Sequence, residues 1–183
     1  MECYTRGRNM VEENTINLLE VVEKQKNNDL IIFTTFTFDP IFFDGYILRK
    51  LKKNNPKALI IILIDAKMYS KLGDNFTRET GVEYALIPIA GNLFHSKIFL
   101  FASKSKKQVF LGSHNLTLTG FTQNLELSFD SEDDLLTDDC INYVGNLLKK
   151  NLTAKNPWLT KIEPYMSKID NDILITNETE PIL

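Results

Sequence analysis

His95-x-Lys97 and Gly112-Ser113-His114-Asn115 are the two stretches that bring chemically capable side chains together in this 183-residue chain, and they hold both of its histidines. Side chains on an extended strand alternate between faces, so His95 and Lys97 share a face and Ser96 points the other way. The same alternation pairs Ser113 with Asn115 and turns His114 away from them. If the two strands are neighbours, His95, Lys97, Ser113 and Asn115 converge. Together they offer a nucleophile or base, a fixed positive charge, a hydroxyl and an amide donor. That set suits an anion, and phosphate most naturally. Gly112 permits close backbone approach, and Glu126 adds a carboxylate on the strand that follows.

Such groups need a rigid frame. The spacing of Val11, Ile16, Leu19 and Val22 predicts an amphipathic helix over 10–27, ended by Asn27-Asn28. "DLIIFTTFTF" (29–38) reads as a buried strand. Asp39-Pro40 reads as a helix start, with Asp at the cap, and the helix runs to about Asn54. "KALIIILID" (57–65) is the most apolar strand and suits a position covered on both faces. A helix around 66–77 and a strand over 82–89 follow. "HSKIFLF" and "QVFLGS" are two further strands joined by the polar turn "ASKSKK". A helical turn near 116–121, the strand "NLELSFD" and a helix over 135–150 complete the series. This order predicts an α/β fold with a mixed, largely parallel sheet and helices on both faces. Residues 1–155 are expected to form one domain. Residues 156–183 form a C-terminal tail packed in part upon it, with a mobile end.

Composition narrows the function classes. The formal net charge of −3 argues against a strongly basic nucleic-acid coat protein, and 43% hydrophobic with 25% charged residues is ordinary for a globular domain. The charges are unevenly placed: residues 97–107 hold four lysines and no acid, and residues 130–139 hold six acids and no base. Lys104, Lys106 and Lys107 are therefore candidate substrate-binding residues for phosphate. No apolar run reaches the ~20 residues of a membrane span, and the N-terminus lacks the apolar core of a secretory signal. Cys3 and Cys140 show no zinc-like spacing. The expected setting is cytoplasmic, with no membrane contact.

"HSK", then "GSHNLTLTG", then "NLE" resembles the signature of the phospholipase D superfamily, most closely its nuclease-like branch. The resemblance spans roughly residues 10–150 and implies a phospholipase D-like fold. It implies that His95 attacks phosphorus to give a phosphohistidine, that Lys97 and Asn115 bind the non-bridging oxygens, and that Ser113 assists through its hydroxyl. Glu126 would hydrogen-bond the far nitrogen of His95 and fix its tautomer. No metal or other cofactor is implied. Where the family often has Asp, five residues after the Lys, this chain has Ala102.

The chemistry needs a second acid to protonate the leaving oxygen, yet the chain has a single His-x-Lys and no internal repeat. A symmetric homodimer with one His95 from each subunit supplies it. The expected activity is that of a metal-independent phosphodiesterase or endonuclease on nucleic acid, DNA ahead of RNA. The alternatives are a non-catalytic nucleic-acid- or protein-binding module of a restriction or defence assembly, and a phospholipase. No amphipathic helix rich in Lys and Trp supports the last.

Overall fold

The two most apolar runs of the chain, β1 (Leu30–Thr35) and β2 (Leu59–Asp65), lie side by side and parallel, with Leu30 opposite Leu59 and Thr35 opposite Ile64. They belong to a computed structural model that describes residues 18–72, 84–91, 93–122, 128–152 and 157–166. The other strands are β3 (Ala85–Ile89), β4 (Ile98–Ala102), β5 (Lys107–Gly112) and β6 (Ser128–Ser131). Among the described residues they form one six-stranded sheet in the order β3-β2-β1-β4-β5-β6.

The sheet is mixed, but its parallel character is confined to β1, β2 and β3; the β1–β4, β4–β5 and β5–β6 pairings are antiparallel. The expectation of a largely parallel sheet is corrected to that extent. For the β4–β5 pair the cause lies in a connection. Only residues 103–106 join β4 to β5, closed by Ser103 N–H donating to Lys106 O at 2.8 Å. A parallel crossover needs a dozen or more residues, so this turn can only make a hairpin.

Strand alternation builds two cores. Ile31, Phe33, Ile60, Ile62, Phe99 and Phe101 face one side, and Leu30, Ile32, Ile61, Leu63, Leu100 and Ala102 face the other. The first side is covered by α1 (Leu18–Lys24) and by one continuous helical segment. That segment runs from α2 (Pro40–Phe42) through a π-helical stretch (Phe43–Leu48) into α3 (Arg49–Asn54). Asp39 caps it as expected, accepting from Phe42 N–H at 3.1 Å, with Pro40 at the first helical position. Chain reversal after α1 places Asn27 at φ 59°, a left-handed conformation that Asn tolerates.

Two short helices, α4 (Ala66–Tyr69) and α5 (Leu118–Thr122), follow β2 and β5. The second side of the sheet is covered by α6 (Asp134–Asn151) and α7 (Pro157–Ile162), which contribute Ile141, Val144, Leu148, Leu159 and Ile162. A 3₁₀ turn (Glu163–Tyr165) leads to Met166. A Cβ at Gly145 of α6 would come within 2.5 Å of Met166 Sδ, so this glycine lets the segment lie against the helix. No described helix is long and apolar enough to cross a membrane. The first part (10–17) of the helix expected over 10–27, the end of the helix over 66–77, the start of the strand expected over 82–89 and most of "NLELSFD" lie outside the described residues, as does the tail beyond 166.

Candidate active site

β4 begins at Ile98, so His95, Ser96 and Lys97 precede the strand and alternation alone does not orient them. The ladder nevertheless continues for one residue, because Gly112 N–H donates to Lys97 O at 3.2 Å. His95 is exposed, while Lys97 is buried with 7% of its surface accessible. The two meet because the lysine stem turns back. Lys97 Nζ lies 2.7 Å from His95 Nδ1 and donates to His95 O at 2.9 Å. An ammonium can only donate, so Nδ1 accepts and the neutral ring carries its proton on Nε2. The Phe36 ring lies 5.0 Å from the imidazole and 5.9 Å from Lys97 Nζ, measured to its centroid. The buried ammonium is thus set between an aromatic face and a histidine.

Asn115 is fixed from its oxygen. Its Oδ1 accepts from Phe36 N–H and Thr37 N–H, both at 3.3 Å, in the turn that leaves β1. With the carbonyl held by backbone donors, the Nδ2 protons are the part of this side chain that can meet an anion. The loop after it is equally constrained. Thr35 Oγ1 accepts from Leu116 N–H at 3.0 Å, and Phe38 and Leu116 form an isolated parallel bridge. A Cβ at Gly120 would stand 2.5 Å from Asn115 O, so only glycine allows α5 to return this close to the Asn115 backbone.

Several positioning residues escaped the sequence reading. Thr34 is fully buried at the end of β1; its Oγ1 accepts from Ile98 N–H at 2.7 Å and lies 3.0 Å from Ser96 Oγ. It thereby fixes the start of β4 and the face opposite the catalytic candidates. Asp65, buried at the end of β2, accepts from Phe94 N–H through Oδ2 at 3.0 Å. Through Oδ1 it also accepts from Lys67 N–H at 2.9 Å and Met68 N–H at 3.3 Å, capping α4. The bond from Phe94 N–H is the largest influence holding its carboxyl below the ordinary range, against the opposing effect of burial. The available signal was polarity: "TT" and "D" terminate otherwise apolar strand runs, where a buried polar group must find a partner.

The remaining candidates divide by position. Ser113 is exposed next to Gly112, at the end of β5 that lies beside Lys97. His114 is buried, with Nδ1 2.9 Å from Ser128 Oγ. Glu126 lies outside the described residues. Lys104, Lys106 and Lys107 are not brought to His95. They sit at the opposite end of the β4–β5 hairpin, a strand length of roughly 17 Å away. Lys106 pairs with Glu132 at 2.6 Å and Lys107 with Asp138, so phosphate binding by either must compete with a carboxylate. Ala102 is fully buried in the second core, also at the far end of β4.

This frame is the phospholipase D fold. NucT from Helicobacter pylori superposes with a TM-score of 0.52 at 16% identity, over 72% of this chain and 85% of its own. Nuc from Salmonella typhimurium, a phospholipase D family member, gives 0.52 at 16% identity over 74% of this chain and 86% of its own. The polyphosphate kinase from Porphyromonas gingivalis gives 0.55 at 12% identity over 74% of this chain and 21% of the kinase. No protein-family model matches the sequence, and no curated protein matches it.

Proposed function

We propose that the protein is a metal-independent phosphodiesterase that cleaves nucleic acid through a phosphohistidine on His95, at a site shared by two copies of the chain. The observation that carries this reading is the buried Lys97 ammonium held at 2.7 Å from an exposed imidazole. A fixed cation beside a nucleophile is what an anionic diester requires. The names Nuc and NucT among proteins of the same fold support a nucleic-acid substrate.

The reaction begins when a non-bridging phosphate oxygen takes over the Lys97 ammonium and the Asn115 amide. His95, exposed to solvent and released from Lys97, changes tautomer through water: Nε2–H gives its proton to solvent and Nδ1 takes one up, to be donated toward Glu126. This leaves the Nε2 lone pair to attack phosphorus. The leaving oxygen takes its proton from the partner subunit's His95, which enters this step as an imidazolium and leaves it as a neutral imidazole. That second imidazole next removes a proton from water, which attacks the P–Nε2 bond and restores His95. Exposed Ile41, Tyr46, Leu93 and Leu118 lie on segments around this end of the sheet. They would give a second copy an apolar rim to cover.

The test is hydrolysis of DNA, RNA and a chromogenic phosphodiester in EDTA by wild type and His95→Ala. Turnover in EDTA that disappears in the variant supports the reading. Strict dependence on Mg²⁺ overturns the mechanism. A nine-fold excess of His95→Ala should depress wild-type activity roughly tenfold as subunits exchange. Simple dilution behaviour overturns the shared site.

A further inference from the structure

The end of the sheet remote from His95 carries a second basic feature that the chemistry above does not use. An open cleft of ≈ 370 Å³ lies where β2 begins, between the end of α3 and the α7 segment. Its described lining brings together Lys52, Lys57 and Lys161 with the aromatic rings of Trp158 and Tyr165, and contains no carboxylate. Lys161 Nζ lies 4.5 Å from the Trp158 ring centroid, a cation–π distance. Lys52, at the end of α3, is oriented by a bond from Nζ to Ala58 O at 3.4 Å. Lys57 and Lys161 are exposed at its mouth. Burial first, and the Asp29 charge second, hold the Tyr165 phenol above its ordinary range, so its hydroxyl remains a neutral donor.

Three ammonium groups around an indole and a phenol match one ligand chemistry, a planar base joined to a phosphate. Rings supply stacking area and lysines neutralise the backbone, the combination by which single-stranded nucleic acid is held with little sequence preference. We infer that the Lys52–Lys57–Trp158–Lys161–Tyr165 cleft binds a nucleotide unit and serves as a distal anchor for a nucleic-acid strand whose scissile phosphate lies at His95. The anchoring role rests on the nucleic-acid reading of the active site; nucleotide binding by the cleft does not.

The fold sets the separation. β2 runs from the cleft at Leu59 to Asp65, which bonds the backbone of Phe94 beside His95. Six residue steps of ~3.3 Å span roughly 20 Å. At 3.4 Å per nucleotide in a stacked strand that distance requires about six nucleotides, and in an extended strand, which reaches about twice as far per nucleotide, about three. Shorter substrates reach the active site without reaching the cleft.

Trp158 is the only tryptophan in the chain, so its fluorescence reports on the cleft directly. Wild type is titrated with inorganic phosphate, a mononucleotide, and single-stranded oligonucleotides of two and twenty residues. Saturable quenching by the mononucleotide and both oligonucleotides, weak with phosphate alone, is expected. It should persist in His95→Ala and weaken at least tenfold in Lys57→Glu/Lys161→Glu. The single changes Lys57→Gln and Lys161→Gln guard against misfolding, and each should weaken binding about three-fold with an unchanged circular dichroism spectrum.

In turnover, the double variant should raise KM for the twenty-mer about tenfold and leave the chromogenic diester and the two-mer untouched. Equal loss on all three substrates overturns the anchor. A silent Trp158 alongside active hydrolysis overturns the cleft and leaves the active-site reading standing. Quenching without hydrolysis of any diester does the reverse. Quenching by phosphate as strong as by the nucleotide overturns the role of the rings, and quenching by mononucleotide alone overturns the strand.

Discussion

Lys97 Nζ touches both Nδ1 and the backbone oxygen of His95, at 2.7 and 2.9 Å, so a single buried ammonium sets the proton position and the backbone of its neighbour. The ligand-free ring is thereby held with hydrogen on Nε2, the nitrogen that attacks in the proposed mechanism. On that proposal, substrate has to displace Lys97 from Nδ1 before the imidazole is competent.

Nitrogen-15 chemical shifts of His95 should therefore report the Nε2–H tautomer in the free protein. Lys97→Met preserves the buried stem, and it should release Nδ1 and give a mixture of tautomers. Its turnover should fall about 10²–10³-fold, the cost of losing a preorganised charge at a developing anion. A wild-type ring already protonated on Nδ1 would contradict the displacement step.

Asn115 separates structure from chemistry by its two ends. Asn115→Asp keeps an acceptor for Phe36 N–H and Thr37 N–H but removes the amide donor and adds negative charge. Thermal stability should change little while diester hydrolysis is lost. Asn115→Ala should also destabilise the fold, by about 1–3 kcal/mol, because it strips two backbone donors of their acceptor. Equal melting temperatures for the two variants would refute the clamp.

Gly120→Ala tests the loop that carries Asn115. The added methyl would stand 2.5 Å from Asn115 O, and overpacking of this kind costs about 1–3 kcal/mol. The distinctive expectation is a fall in kcat larger than the change in KM, since the displaced group acts on the transition state. A variant with native kcat would show that the loop adapts without moving the amide.

Asp65 gives an acid-stability signature. Its folded pKa lies below the ordinary carboxylate value, held there first by the Phe94 N–H bond. Its contribution is therefore complete above the unfolded carboxylate range and is lost as pH falls through the lower folded value. Urea melts between pH 5 and about pH 2 should show a steeper loss in wild type than in Asp65→Asn. Parallel pH profiles would remove Asp65 from the account. Above pH 5 the Asn variant should be the less stable protein, because an amide oxygen accepts more weakly than a carboxylate.

The strand order along the chain, both cores and the cap at Asp39 were legible because apolar periodicity and turn chemistry are local signals. The antiparallel half was encoded just as locally, in a "SKSK" turn too short for a crossover, yet the βαβ rhythm before it dominated the reading. His95 and Lys97 were legible as a pair from residue type and spacing. The reason they meet was not. Lys97 was placed on a shared strand face, whereas it is buried and reaches back to an exposed ring. Thr34, Phe36 and Asp65 act on segments distant in sequence, and no period within one strand can announce a bond made 29 or 64 residues away. The lysines at 104–107 looked close to the motif in sequence, but the hairpin carries them to its far end.

The two backbone bonds that seize Asn115 Oδ1 have an entropic meaning. An unclamped side chain recruited by a ligand surrenders its rotamers at the moment of binding, at a cost of about 0.5–1.5 kcal/mol. Here that freedom is surrendered while the chain folds, when the turn after β1 closes on the amide. If the amide binds phosphate as proposed, the order that binding needs is stored in the native state before any substrate arrives.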